Sequence, residues 1–297
     1  MPLRLFSFMR ILFIGDIVGS PGRHIVKERL ADTVAQQRID LVIANCENAA
    51  SGFGITPRLT EELLATGIDV LSGGNHIFDR REILDYFPHA PRLLRPANFP
   101  SGTPGSGLYI GETKNGAGYA VLNLQGRTFM APIDCPFRTA DAQLAEIPPA
   151  VKFVLVDFHA ETTSEKIAMG WYLDGKVSAL VGTHTHVVTA DERILPRGTA
   201  YISDVGMTGP HDGVIGMERN AIIAKFLDAL PRRFEVAAGN IQMNCVLIEV
   251  DEGAFTNPPD AASASAPSGS ASASSSPATH APRLRAQSIS RLRLKID

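Results

Sequence analysis

The sequence predicts an α/β fold with a layered sheet core, and two features indicate it. Five short apolar runs each end in Gly, Asn, Asp or His, and such runs without polar alternation are typical of strands buried on both faces. Stretches with helical character separate them, several with Pro or Thr near the start. This alternation of strand and helix is typical of layered α/β domains. The predicted strands are 10–15, 40–44, 68–71, 151–156 and 178–181, and the predicted helices are 22–37, 57–66, 79–86, 165–173 and 218–229.

Two further pairs of segments alternate like β-hairpins. Residues 118–124 and 128–131 flank one short turn with glycine, and residues 234–236 and 242–250 flank another. The sequence therefore predicts a mixed sheet or a second sheet.

The composition fits one domain with an appendage. The chain has 297 residues, of which 44% are hydrophobic and 20% charged. We expect one domain over 1–255. Residues 256–297 begin with Ala/Ser/Pro repeats that have almost nothing to bury, so they predict a disordered tail with a basic end. Its Arg-Leu-Arg stretches suit a solvated tail better than a weak anion or partner contact. Removal of the tail is then expected to leave the turnover rate and the melting temperature unchanged.

The three cysteines, Cys46, Cys135 and Cys245, form no C-x-x-C pair, so neither a disulfide framework nor a zinc knuckle is predicted. A reducing, cytoplasmic location is expected. The apolar run near the N-terminus is too short to span a bilayer and leads into Asp16 and a glycine-rich turn, which favours a core strand over a signal peptide.

Residues with metal-binding and acid-base side chains recur where the apolar runs end. The carboxyl ends of the strands in an open α/β sheet meet at one edge, where ligands bind. Each motif alone is ambiguous, because Gly-Asp and Asn after glycine are common in turns and a lone histidine is commonly structural. His184 and His186 are a stronger signal, because residues two apart on an extended segment face the same side. The motifs are Gly15-Asp16, Asn45-Cys46-Glu47-Asn48, Gly73-Gly74-Asn75-His76, Asp157-Phe158-His159 and Gly182-Thr183-His184-Thr185-His186.

These ligand types suit two divalent ions. Two carboxylates leave about two of the four positive charges uncompensated, for a phosphoryl group and a metal-bound hydroxide to balance. A bridging carboxylate would hold the ions roughly 3.5–4 Å apart, and a metal-bound hydroxide would be the nucleophile. His76 is the candidate proton donor for the leaving oxygen.

The order of these motifs resembles the calcineurin-like metallophosphoesterases, and more closely the YmdB-like family of bacterial phosphodiesterases. The resemblance extends from Met9 to about Val250. It rests on MRILFIGDIVGSPGR from Met9, NCENAASGFG from Asn45, GGNHIFD from Gly73, LLRPANFPSGTPG from Leu94, DFHAETTSEK from Asp157, the 181–187 segment and DVGMTG from Asp204.

The resemblance implies a four-layer α-β-β-α sandwich with two metal ions, iron or manganese, with zinc as another option. Glu47 would bridge the ions, with Asp16, Asn48 and His186 at the first site and Asn75, His159 and His184 at the second. His76 would be the proton donor. Family members look like enzymes for cyclic nucleotides, particularly 2′,3′-cyclic forms, and some act as developmental regulators. The chain departs from the wider superfamily at Asp16-Ile17-Val18 and at Glu47-Asn48, where Asp-x-His and Gly-Asp are usual.

Other functions stay open at this point. One is a metal-binding regulator of the same fold that acts through a partner, with weak or no turnover. A Rossmann-type nucleotide module is disfavoured because Gly15, Gly19 and Gly22 do not match G-x-G-x-x-G, and a mononuclear zinc amidase because seven ligands are too many for one zinc. The expected partner is a small phosphodiester substrate, with no membrane and no polymeric nucleic acid, since no long basic stripe with interleaved aromatics occurs. A homo-oligomer is a further expectation.

Overall fold

The computed structural model describes residues 8–251 and 283–296. These residues form thirteen strands, six α-helices and one 3₁₀ turn, Phe87–His89. The strands are β1 (Phe8–Ile14), β2 (Asp16–Ile17), β3 (Leu41–Asn45), β4 (Val70–Ser72), β5 (Leu108–Glu112), β6 (Gly118–Gln125), β7 (Phe153–His159), β8 (Ala179–Thr183), β9 (Arg193–Ile194), β10 (Ala200–Ile202), β11 (Met207–Pro210), β12 (Ile241–Asp251) and β13 (Ala286–Ile296). The helices are α1 (Gly19–Gln37), α2 (Pro57–Ala65), α3 (Ile83–Tyr86), α4 (Pro136–Glu146), α5 (Thr163–Leu173) and α6 (Arg219–Asp228).

The strands form two mixed sheets. The first has the order β2-β11-β12-β1-β3-β4, with β13 also paired to β12, and the second has the order β5-β6-β7-β8-β10-β9. Within the first sheet β1, β3 and β4 run parallel, and within the second β6, β7 and β8 run parallel. The mixed α/β class with two sheets is therefore confirmed. Nine of the ten predicted strands and helices form near their expected bounds, whereas the predicted helix 79–86 is helical only over Ile83–Tyr86.

Three apolar clusters hold the elements together. One lies between the sheets and joins Phe13 and Ile43 of the first sheet to Phe153 and Leu155 of the second. A second packs α1 and α2 on the outer side of the first sheet, and a third packs α4 and α5 on the second sheet. Because β3, β7 and β8 are covered on both faces, every residue in them is buried, which is why their sequences lack polar alternation. In the described part of the chain, no helix combines the length and apolar character needed to cross a membrane.

Both predicted hairpins are wrong. β6 forms as expected, but it pairs with β5 and β7, and residues 128–131 lie in a turn and a loop. β12 also forms, but its partners are β1, β11 and β13, while the 234–236 segment makes one isolated bridge from Val236 to Met217. Two of the four segments therefore form strands, and each pairs with other segments: β6 with β5 just before it in the sequence, and β12 with strands more distant along the chain.

The prediction of a disordered tail over 256–297 is wrong at its end. β13 pairs antiparallel with β12 from Ile296 opposite Ile241 to Ala286 opposite Val250. The Arg-Leu-Arg-Leu-Lys-Ile sequence alternates with the period of a half-buried strand, and its apolar residues pack on the first core. The rest of the predicted tail, residues 256–282 and Asp297, lies outside the described residues.

Ending the chain after residue 282 is therefore expected to lower the free energy of unfolding by about 3 kcal/mol or more, because buried Leu284 and the apolar face of β13 are lost. Leu294→Ser should reproduce part of the loss, because Leu294 packs on the first core, whereas Lys295→Ser on the exposed face should not. Urea unfolding of the three variants measures this. A truncated chain as stable as the intact one would show that β13 contributes nothing.

Candidate metal centre

The five predicted strand ends meet at one place between the two sheets. Glu47 from the end of β3 contacts His159 at the end of β7, with Oε1 and Nε2 3.0 Å apart. Atoms of Glu47, His159 and His184 that could bind one ion lie within 4.8 Å of one another. Asp16, Asn48, Asn75 and His186 border the same cluster. The structure thus brings together all seven residues proposed as metal ligands.

Four atoms that could bind an ion lie close together at His159. Its Nε2 lies 3.0 Å from each of three atoms: Glu47 Oε1, Asn75 Oδ1 and His184 Nδ1. The ring nitrogen carries at most one hydrogen, which can satisfy only one of these acceptors. Such a group of facing lone pairs fits a cation at its centre.

Asp16 gives a second indication of a cation. Its carboxylate is fully buried, and Oδ1 has no hydrogen-bond partner among residues 8–251 and 283–296. His159 Nδ1 and His186 Nε2 each lie 3.9 Å from Oδ1, and His186 Nε2 is 3.3 Å from Asn48 Oδ1. A buried carboxylate oxygen without a partner is costly unless a cation compensates it. Carboxylate, amide and imidazole are together suited to iron, manganese or zinc.

Hydrogen bonds behind the site fix which nitrogen of His159 faces it. The Thr183 hydroxyl donates to Asp157 Oδ1 at 2.7 Å, so it accepts the Nδ1–H of His159 at 2.9 Å. Asp157 Oδ2 accepts from Ser72 Oγ at 2.5 Å and from Asn45 Nδ2 at 3.1 Å. Because Nδ1 carries this hydrogen, Nε2 is left to face the ligand cluster, as outer partners of metal-binding histidines usually arrange.

The two histidines after β8 are oriented in the same way. His186 Nδ1 donates to the Ile215 carbonyl at 2.9 Å, which leaves Nε2 toward Asn48. His184 Nε2 lies 3.0 Å from Glu161 Oε2, and its Nδ1 faces His159. Both histidines have positive φ, 99° and 66°, which side chains other than glycine rarely adopt. The surroundings must therefore hold this loop in place.

A buried ion pair between Lys166 and Asp204 holds the loop between His184 and His186. Asp204 Oδ2 accepts from both the backbone N–H and the hydroxyl of Thr185, at 3.1 and 2.8 Å. The same oxygen is 2.6 Å from Lys166 Nζ, and both charged side chains are only 1% exposed. Oδ1 accepts from the Gly206 N–H at 2.7 Å. Lys166 and Asp204 lie in stretches that carry the family resemblance, but no role was predicted for either residue.

The charges of the cluster shift its pKa values. Burial alone would lower the pKa of His159, but Glu47 and Asp16 outweigh it and raise that pKa to about 9. Burial opposes ionisation of Glu47, yet His159 and His76 lower its pKa to about 2. Burial raises the pKa of Asp16, and burial with the charge of His159 lowers the pKa of His184 to about 3. Without metal, Glu47 and His159 therefore form a buried ion pair.

His76 lies at the rim of the cluster. Its backbone N–H donates to Glu47 Oε2 at 2.8 Å, and its ring Nδ1 is 2.8 Å from Asp79 Oδ2. The side chain is 31% exposed, so it can exchange protons with solvent. The Phe53 ring lies edge-on to the imidazole, with ring centroids 5.1 Å apart. A position beside the proposed metal ligands is what a proton donor requires.

Gly74 allows the loop after β4 to approach the cluster. A Cβ at this position would lie 2.3 Å from the His159 ring and 2.4 Å from Glu47 Oε2. Only glycine leaves room for both side chains.

His211 lies outside the cluster. Its Nδ1 donates to the Gly209 carbonyl, and its Nε2 faces Asn244 Nδ2.

Two mixed sheets with carboxylates, amides and histidines gathered at their strand ends define a hydrolase of the metallophosphoesterase class. Within that class the chain belongs to the YmdB-like protein family, whose model matches residues 12–257. The resemblance found in the sequence is thereby confirmed.

Relatives support this membership. The chain is 53% identical over 244 residues to a 2′,3′-cyclic-nucleotide 2′-phosphodiesterase of Bacillus subtilis (strain 168). The matched segment covers 82% of this chain and 92% of that relative. A hypothetical protein from Thermus thermophilus is structurally similar, with a TM-score of 0.82, 38% identity, and coverage of 97% of this chain and 99% of that one. A phosphatase from Mycoplasma pneumoniae has a TM-score of 0.83, 30% identity, and coverage of 98% and 95%. The prediction of an enzyme of the phosphodiesterase and phosphatase class is therefore confirmed.

Proposed function

We propose that this chain is a dinuclear metal-dependent phosphodiesterase that hydrolyses small 2′,3′-cyclic nucleotides, with His76 as the proton donor. The observation that carries the proposal is the set of facing ligand atoms around His159 Nε2, together with the partnerless Asp16 Oδ1. The substrate follows the name of the Bacillus subtilis relative. The proposal includes the four-layer α-β-β-α arrangement, iron or manganese as the native metal, and a cytoplasmic location, which the three free cysteines support.

The seven ligands would divide between two sites. Asp16, Asn48 and His186 would hold one ion, Asn75, His159 and His184 the other, and Glu47 would bridge them. When bound, the ions supply positive charge to the phosphoryl oxygens and acidify the attacking water. The chain's own contribution is orientation: Thr183 and Asp157 fix His159, Glu161 orients His184, and Asp204 holds the loop at Thr185.

His76 would complete the reaction at the leaving oxygen. The oxygen of a water molecule bonds to phosphorus while that water releases one proton to solvent, the bond from phosphorus to one ribose oxygen breaks, and that ribose oxygen leaves with the bonding electrons. His76 donates a proton to it, and Asp79 orients the imidazole through Nδ1. The products are a ribose hydroxyl and a phosphate monoester on the neighbouring oxygen.

The test is metal content and turnover in the same preparation. The chain is purified without chelator, its metals are counted per chain, and hydrolysis of bis-p-nitrophenyl phosphate and 2′,3′-cyclic AMP is measured with added manganese or iron. Two metals per chain with turnover of both substrates is the expected result. Bound metal without any turnover would favour the regulator that acts through a partner, and no bound metal under any reconstitution would overturn the metal-site assignment.

His76→Ala is expected to keep both metals and to slow turnover of 2′,3′-cyclic AMP by roughly 10²–10⁴-fold, because the ribose oxygen is a poor leaving group without a proton. p-Nitrophenolate leaves readily by itself, so the loss with bis-p-nitrophenyl phosphate should be much smaller. His89→Ala, at another histidine outside the cluster, is the matched control. Equal losses on both substrates would point to a structural role for His76.

Metal binding is expected to release about one proton per chain at pH 7.5. The pKa of His159 in the metal-free protein is raised to about 9, so at pH 7.5 a metal must displace its proton. Apparent affinity should therefore rise with pH and level off above about pH 9. Calorimetry in buffers of different ionisation enthalpy measures the release, and a value near zero at pH 7.5 would contradict the Glu47–His159 ion pair.

A further inference from the structure

A cavity of about 710 Å³ is lined by Phe53, the residue whose ring contacts His76. It is lined by the start of α1, the loop after β3 and the 232–237 segment after α6. Phe53 joins it to the site, because the Phe53 ring contacts the His76 imidazole edge-on. The same loop includes the proposed ligand Asn48, whose Nδ2 donates to the Gly52 carbonyl at 3.0 Å. Phe53 therefore belongs both to the cavity wall and to the surroundings of His76.

The lining is positively charged. It contains three arginines, Arg80, Arg232 and Arg233, against one acidic residue, Glu235. Arg80 is committed to the protein, since its guanidinium donates to the carbonyls of Phe53 and Ala50, and Arg232 pairs with Asp228. Arg233 is exposed and makes no hydrogen bond or ion pair with any of the described residues. Its guanidinium is thus available to an anion.

The N-terminus of α1 adds to this positive potential. Ser20 and Pro21 of its first turn line the cavity, and the helix is 19 residues long. The N-cap, Val18, provides no side-chain hydrogen bond, and the first turn has no acidic residue. The Gly19 N–H donates to the Asn48 carbonyl, the Gly22 N–H donates to the Val18 carbonyl, and Pro21 has no N–H, so the contribution of this helix start is its dipole.

Two aromatic side chains make the cavity suitable for a flat ring as well. Phe53 and Phe234 both line it, and both are only partly buried. Lys225 Nζ lies 5.0 Å from the centroid of the Phe234 ring. Phe53 is next to His76, so a base attached to the reacting ribose could stack on it.

We propose that this cavity is a second subsite, which holds the nucleoside part of the substrate and binds a phosphate on its 5′ oxygen through Arg233. The inference rests on the proposed function, because the leaving oxygen at His76 then belongs to the ribose and the rest of the nucleoside lies on the cavity side. The preferred substrate class is a nucleoside 2′,3′-cyclic phosphate that also carries a 5′ phosphate. A nucleoside with both phosphate groups occurs as a free nucleotide and at the 3′ end of a short RNA.

The experiment compares four substrates on the full manganese-loaded chain. They are bis-p-nitrophenyl phosphate, adenosine 2′,3′-cyclic phosphate, the same nucleotide with a 5′ phosphate, and a diadenosine dinucleotide ending in a 2′,3′-cyclic phosphate. We expect kcat/KM to be about tenfold higher when the 5′ phosphate is present, mainly through KM, as for a paired guanidinium–phosphate contact. Salt should reduce this preference.

Arg233→Ala is expected to bring the ratio of kcat/KM with and without the 5′ phosphate close to one. Arg233→Lys should keep part of it, because a point charge lacks the planar fork. Arg138→Ala is the control, since Arg138 is an exposed arginine on α4 that lines no part of this cavity.

The outcomes separate this inference from the proposed function. Turnover of none of the four substrates would overturn the proposed function itself. Turnover without a 5′-phosphate preference, or a preference that survives in Arg233→Ala, would overturn the subsite alone. A preference shared by the nucleotide and the dinucleotide supports a subsite for either source, and one confined to the dinucleotide supports the RNA end.

Discussion

Replacing Glu47 with glutamine is expected to reduce turnover by at least about a thousandfold while leaving the metal-free fold intact. The substitution keeps the size of the side chain and removes one of the two carboxylate charges among the proposed ligands. A glutamine carbonyl can still accept the His76 N–H that Glu47 Oε2 accepts at 2.8 Å. It cannot bridge two cations as a carboxylate does, so the second ion should be lost or weakly held.

Metal analysis, phosphodiester hydrolysis and thermal unfolding without metal measure the three parts of this expectation. Glu62→Gln is the matched control, because Glu62 lies on α2 with its side chain 42% exposed. We expect the control to keep both metals and full turnover. A Glu47→Gln protein with two metals per chain and a normal rate would exclude the bridging role, and one that is unfolded without metal would show that Glu47 is needed for the fold itself.

The convergence of the proposed ligands was largely predictable from the sequence because these residues follow buried strands directly. Asp16, Glu47 and His159 each come at or just after the end of an apolar run, and parallel strands within a sheet place such ends at one edge. The sequence did not indicate that the ends belong to two different sheets. Contact between Glu47 and His159 across the sheets depends on the core that joins Phe13 to Phe153.

The features that were not predicted, β13 and the Lys166–Asp204 ion pair, depend on partners that are distant in the sequence. β13 lies beyond an Ala/Ser/Pro-rich segment, and its alternation became meaningful only with β12 as a partner. Lys166 lies within a helix, where lysine is ordinarily solvated, and its partner Asp204 is 38 residues away. The charge and composition of a short segment do not show whether its residues are buried, because burial depends on how the whole chain packs.

Lys166→Met is expected to destabilise the metal-free protein by about 3–5 kcal/mol, because it leaves the Asp204 charge buried without a counter-ion. Methionine fills a similar volume, so a cavity contributes little to the loss. Asp204 is also close enough to Asp16 to disfavour ionisation of that carboxyl. The unbalanced charge should therefore also disturb the loop that carries His184 and His186, and turnover should fall with stability.

Urea unfolding and hydrolysis assays distinguish the loss of the counter-ion from the loss of the side chain. The double variant Lys166→Met with Asp204→Asn removes both charges and should be more stable than Lys166→Met alone. The double variant should still hydrolyse substrate slowly, because an amide cannot accept all the hydrogen bonds from Thr185 and Gly206 that Asp204 accepts. Lys176→Met is the control, because its pair with Asp141 is partly exposed to solvent and should cost less than about 1 kcal/mol. A double variant no more stable than Lys166→Met would show that the buried charge is not the cause, and a fully active one would show that Asp204 does not position the histidine loop.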